Sequence, residues 1–204
     1  KLTPPENVEV GQRAWTDREI KQFLDHHPLG TFQHLYMQIL IAFGPRISDA
    51  VALGKDNLIE GEHGWHIRFK TIKTGITIEV LLTQAVAEAI AACPSPVNEF
   101  LCTSFNHPFK SEKGLQNWFD RAVKAAGLPK GLSSHGMRRT CATKMAEHST
   151  EYQMMAVFGW QNANEARTYI QAANRLKQAA MAMKAEHRGQ LDDKMMVNYL
   201  RKAS

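Results

Sequence analysis

Residues 65–82 read WHIRFKTIKTGITIEVLL, and here the apolar period along the chain drops to two. Trp65, Ile67 and Phe69 share one side, as do Ile76, Ile78, Val80 and Leu82, while KTIKTG over 70–75 breaks the alternation with a glycine. Because successive strand side chains point to opposite faces, the pattern predicts two antiparallel strands joined by a turn that carries Lys73. Outside 57–82 the apolar spacing is helical. The expected fold class is therefore α+β, mostly α-helical, with one small antiparallel sheet.

Upstream, Thr16 and Glu19 form a capping box ahead of IKQFLDHH (20–27), and TFQHLYMQILIAFG (31–44) stops at Gly44, a residue suited to a helix C-terminus. PRISDAVAL (45–53) starts a further helix with Pro45 in its first turn, placing Arg46 and Asp49 on one face. Downstream lie TQAVAEAIAAC (83–93), SEKGLQNWFDRAVKAAG (111–127) between a Ser111 cap and a Gly127 stop, HGMRRTCATKMAEH (135–148), EYQMMAVF (151–158) and NEARTYIQAANRLKQAAMAMK (164–184). KLTPPENVEVGQ at the start reads as an extended linker from its paired prolines, and GQLDDKMMVNYLRKAS at the end as a detached segment.

Composition narrows the class. A chain of 204 residues, 44% hydrophobic and 22% charged, is that of a globular domain with a real core. The net charge of +5 leans towards an anionic partner such as nucleic acid. Cys93, Cys102 and Cys141 are odd in number and lack CxxC spacing, which argues against a disulfide framework or zinc ribbon and fits a reducing cytoplasm. The most apolar stretch, MQILIAFG, is far short of the roughly 20 residues that cross a bilayer, so no membrane association is expected. His63 and His66 form an HxxH in a turn-to-strand stretch without further ligands, more in keeping with surface than with zinc.

Six chemistry-bearing side chains occur in order: Arg46, Lys73, His135, Arg138, Trp160 and Tyr169. Each has a plain reading alone. Tyr169 suits a rim position on an amphipathic helix, His135 simply follows capping serines at 133 and 134, Lys73 is an ordinary turn lysine, Arg46 and Asp49 could pair at the surface, and Trp160 suits a core. Their order and spacing carry more weight. GPRISDAVAL, HGMRRT and the nine-residue step from Trp160 to Tyr169 resemble the boxes of the tyrosine recombinase family, the phage-integrase type, over roughly Thr16 to Lys184.

That resemblance implies a catalytic domain with a small three-stranded antiparallel sheet. It implies that Tyr169 is the nucleophile, that Arg46 and Arg138 clamp the phosphate, that His135 accepts the phenol proton, and that Lys73, on a mobile hairpin, is the general acid. Trp160 stands where many relatives carry histidine; with one N–H donor and no acceptor it is expected to support rather than shuttle protons. Asp49, where glutamate is commoner, is expected to orient Arg46 or another member of the cluster. The implied activity is a site-specific recombinase or integrase that cleaves and rejoins DNA through a 3′-phosphotyrosine, without metal, cofactor or ATP. Its partners would be double-stranded attachment sites, a tetramer on DNA and, in some systems, accessory DNA-bending proteins; its setting would be the bacterial nucleoid or a prophage. Residues 1–15 would be a linker from an N-terminal core-binding domain, 16–186 the catalytic domain, and 187–204 a tail that docks on a neighbouring protomer or folds back. Two other readings stay open: type IB topoisomerase chemistry, although that group generally carries lysine at the position of His135, and a DNA-binding module without catalysis.

Overall fold

The computed structural model describes residues 13–186. Eight α-helices and one sheet appear among them: α1 (Asp17–His26), α2 (Phe32–Phe43), α3 (Ile47–Ala52), β1 (Leu58–Gly61), β2 (Gly64–Lys70), β3 (Thr77–Leu81), α4 (Gln84–Ala92), α5 (Glu112–Ala125), α6 (Ser134–Ala146), α7 (Glu151–Phe158) and α8 (Ala163–Glu186). The period-two stretch folds as expected, with Ile67 facing Val80 and Phe69 facing Ile78 across an antiparallel ladder, and β1 adds a third strand along β2. Ile67, Phe69, Ile78 and Val80 are buried, whereas Trp65 is exposed at the end of the same face.

Local signals set most boundaries. The Thr16–Glu19 capping box forms, and Thr31, Thr83, Ser111, Ser133 and Thr150 cap α2, α4, α5, α6 and α7 by accepting a backbone N–H in the first turn. One expectation fails. The third helix begins at Ile47, not Pro45; Arg46 is its N-cap, with extended backbone (φ −64°, ψ 151°), so its side chain leaves from outside the helix and does not share a helical face with Asp49.

The largest apolar cluster joins α1, α2, α4, α5 and the inner face of the sheet through residues such as Phe23, Tyr36, Leu40 and Phe119, and a second joins α6, α7 and α8 through Met154, Phe158 and Ala166. Helix α6 feeds both, giving Met137 to the first and Cys141 and Ala142 to the second. Its start is further pinned by Trp15, whose backbone N–H donates to Thr140 Oγ1 at 2.7 Å and whose indole donates to the Ser133 carbonyl at 2.9 Å. Trp15, read from sequence as linker, is thus core. The cysteines are unpaired and buried. No helix among the described residues is long and apolar enough to cross a membrane. Residues 1–12 of the expected linker and the expected tail at 187–204 lie outside the described residues.

Candidate active site

A cleft of about 930 Å³ opens where α3, the β2–β3 turn, α6 and the start of α8 converge, and its wall includes Arg46, Lys73, His135, Arg138, Trp160 and Tyr169. Side chains up to 123 residues apart in sequence, Arg46 and Tyr169 being the extremes, therefore face one space.

Arg138 is the structural centre. Only 7% of it is exposed; its Nη1 donates to the Gly44 carbonyl and its Nη2 to the Phe158 carbonyl, each at 2.8 Å. Those carbonyls end α2 and α7, where helix geometry leaves acceptors unpaired and the backbone dipoles sum to a partial negative charge. One guanidinium thus closes two helices. The close approach depends on Gly44, which has φ +51°; a Cβ there would lie 3.2 Å from Arg138 Cα. Phe158 and Trp160 sit 5.0 and 5.8 Å from the guanidinium carbon. Burial, with repulsion from Arg46, pushes the Arg138 pKa down to about 10 despite the opposing charge of Asp49, leaving it cationic at neutral pH. Two of its five N–H donors serve the helix ends, and Arg138 also lines the cleft.

Arg46 Nη1 is buried and has no hydrogen-bond partner among the described residues, while its side chain lines the cleft. Asp49, 3% exposed, was expected to orient Arg46 or another member of the cluster; its Oδ1 accepts the Ile72 backbone N–H at 2.9 Å, next to Lys73 in the β2–β3 turn. Lys73 itself is exposed at the tip of that turn. The turn, expected to be a mobile hairpin, also meets the segment before α8, through Thr74 to Gly159 and Gln161.

His135 occupies the first turn of α6, with Ser133 Oγ accepting the Gly136 N–H at 3.1 Å. Desolvation first, then the charges of Arg138 and Arg139, push its pKa below the ordinary 6.5, so the imidazole is neutral and can accept a proton at pH 7. Trp160 is 5% exposed and sandwiched: Phe158 stacks on it at 4.7 Å between centroids and Tyr169 at 5.6 Å with only 8° between the ring planes. The stack fixes the plane of the Tyr169 ring, which is half-buried in the second turn of α8. Tyr36 is the contrast: wholly enclosed, its hydroxyl donates to Ser134 Oγ at 3.0 Å, and burial pushes its phenol pKa upward. The sequence reading did not pick out Gln116, Thr143, Glu165 or Thr168, which also line the cleft. Glu165 was accessible in principle, since it lies one turn before Tyr169 on the same helix; Gln116 had no signal, because α5 reaches the cleft only by packing.

The sheet-and-helix fold thus places these six side chains around one cleft. The phage integrase family model matches residues 15–175, and the chain belongs to that family. Among solved structures, XerA recombinase is similar at 16% identity and a TM-score of 0.66, covering 93% of this chain and 69% of that one. XerH recombinase bound to palindromic difH substrate, in a post-cleavage complex, is similar at 16% identity and 0.65, covering 88% and 57%. A lambda integrase tetramer bound to a Holliday junction is similar at 19% identity and 0.63, covering 82% of this chain and 50% of that one. This chain therefore spans about half to two thirds of the length of these structures. No curated protein matches the chain.

Proposed function

We propose that this chain is the catalytic part of a site-specific DNA recombinase that cuts and rejoins strands through a covalent 3′-phosphotyrosine. The observation that carries the reading is the shared cleft of Arg46, Lys73, His135, Arg138, Trp160 and Tyr169. A phosphodiester gains negative charge on its non-bridging oxygens as a nucleophile attacks, and preplaced guanidiniums stabilise that charge. Arg46 offers an unpartnered buried donor, and Arg138 is locked to two helix ends while lining the same cleft. Forming phenolate from an ordinary tyrosine at pH 7 costs roughly 4 kcal/mol. In this scheme the neutral His135 takes the phenol proton as Tyr169 Oη bonds to phosphorus, and the Lys73 ammonium gives a proton to the departing 5′ oxygen. The P–O5′ bond breaks, a P–O(Tyr) bond forms, and a 5′ hydroxyl from the same or another strand can reverse the step without ATP.

The partner on this reading is double-stranded DNA carrying paired sites, acted on by four chains together. DNA covalently trapped by the full-length protein in its source cell identifies the site. A nicked duplex of that sequence should then give an SDS-resistant adduct that Tyr169→Phe abolishes while still binding DNA. Binding without adduct would favour a non-catalytic module, and supercoil relaxation without site-specific joining would favour topoisomerase chemistry. Affinity should also fall by orders of magnitude between about 50 and 200 mM salt, as multiple phosphate contacts require.

A further inference from the structure

The β2–β3 turn is fastened to the segment that leads into α8. Thr74 Oγ1 donates to the Gly159 carbonyl at 3.4 Å, and Gln161 Nε2 donates to the Thr74 carbonyl, also at 3.4 Å. Thr74 is braced in turn by Thr71, whose Oγ1 lies 2.6 Å from Thr74 Oγ1 and accepts the Ile76 N–H at 3.1 Å. Gly159 has φ +60°, and a Cβ on it would come within 2.9 Å of Ile78 Cδ1 and 3.1 Å of Thr71 Cγ2. The backbone just before Trp160 therefore lies directly against the base of the turn. From the opposite side Asp49 holds the adjacent Ile72 N–H.

Each of these 3.4 Å hydrogen bonds is weak alone. Their arrangement matters more than their strength. Thr74 donates through its side chain to residue 159 and accepts through its backbone from residue 161, on the two sides of Trp160, so two bonds restrict both the distance and the twist between the two segments. Lysine has a flexible four-carbon stem, and the position of its backbone decides which points its ammonium can reach. We propose that Thr74 and Gln161 are positioning residues that latch the Lys73 turn to the Trp160–Tyr169 segment, so that proton donor and nucleophile meet one phosphate as a unit. This inference rests on the proposed function, with Lys73 as acid and Tyr169 as nucleophile.

The chemistry separates the latch from a general structural effect. Release of a 5′ oxygen needs a proton because the unprotonated product is an alkoxide, whose conjugate acid is about as weak as water, near pKa 15.7. Release of a 5′ sulfur does not, since a thiol ionises near pKa ~8.5. A misplaced Lys73 should therefore slow cleavage of an ordinary phosphodiester and spare a substrate with sulfur as the bridging 5′ atom.

The test compares full-length wild type, Gln161→Ala, Thr74→Val and Thr74→Ser on the mapped site with bridging oxygen or bridging sulfur at the scissile phosphate. Gln161 is exposed, so its truncation spares the fold. The expected result is a loss of about tenfold or more in adduct formation on the oxygen substrate for Gln161→Ala and Thr74→Val, and less than about threefold on the sulfur substrate, in line with the cost of misplacing a reacting group by an ångström or less. Thr74→Ser, which keeps the hydroxyl, should restore oxygen cleavage. Equal losses on both substrates, or no loss on oxygen, overturn the latch. Failure of wild type to form a Tyr169-dependent adduct on either substrate would instead remove the proposed function, and the latch with it.

Discussion

Consider replacing Arg138 with alanine. The guanidinium donates two 2.8 Å bonds to the carbonyls of Gly44 and Phe158 at the ends of two helices. Hydrogen bonds from a charged group contribute about 1.5–3 kcal/mol each, so the pair contributes roughly 3–6 kcal/mol, and the cation over Phe158 and Trp160 adds to it. Against this stands the cost of burying a cation beside Arg46, visible in a pKa pushed down to about 10 and worth about 3 kcal/mol at 1.36 kcal/mol per unit. Alanine removes that cost but leaves two buried carbonyls without a donor, at about 1–3 kcal/mol each, together with a cavity. The unpaired carbonyls and the cavity win, for a net loss of about 3 kcal/mol. With a urea m-value of about 1–3 kcal/mol/M, the unfolding midpoint should fall by about 1–3 M. Arg138→Lys, which keeps the charge but cannot span both carbonyls with a rigid fork, should fall in between. An Arg138→Ala midpoint indistinguishable from wild type would refute the reasoning, because it would mean that the two helix ends do not depend on this side chain. Lost adduct formation in Arg138→Ala would mix chemistry with folding unless measured at matched stability.

The other predictions concern pH, packing and the site glycine. Because His135 and His27 are both held below pKa 6.5, chiefly by desolvation, the unfolded chain takes up protons that the folded chain refuses as pH falls below 6.5. Stability should be flat above that pH and decline below it, and the acid limb of adduct formation should lie below pH 6.5; a limb at pH 7 or higher would exclude a neutral His135 acting as base. Glu19 works in the acidic range: its hydrogen bond from Arg13 holds its pKa at about 2, so its contribution should be complete above pH 4.5, decay as pH falls towards 2, and vanish in an acid melt of Glu19→Gln. Trp160→Ala should lower stability by about 3–5 kcal/mol and release the Tyr169 ring, whereas Trp160→Phe, which keeps a stacking ring but leaves part of the indole's volume empty, should cost less than alanine and keep most adduct formation. Gly44→Ala forces a side chain into the left-handed region at a cost of about 1–3 kcal/mol and shifts the carbonyl that Arg138 grips, which a urea melt reads directly.

The fold was legible where a residue's neighbours in sequence decide its conformation. The alternation over 65–82 gave two strands, and threonine and serine caps gave helix starts, because both rest on interactions within a few residues. The start of α3 was misplaced since proline is tolerated both in the first helical turn and just ahead of it, and here the N-cap is Arg46. Trp15 looked like linker because its bonds to Ser133 and Thr140 span more than 100 residues. The site residues were named from motif order, but what holds them was not readable. That Asp49 binds the backbone of Ile72, that Arg138 closes α2 and α7, and that Thr74 meets Gly159 are all contacts between segments whose sequences carry no mark of each other.

Tyr169 rides on α8, the last element to leave the ribosome among those described, while both guanidiniums and the lysine precede it. On the proposed reading, a polypeptide stalled in synthesis before that helix would lack both the nucleophile and the α8 residues, Ala166 and Ala173, that complete the second apolar cluster. Such a fragment would then be short of a reacting group and of a finished fold at once.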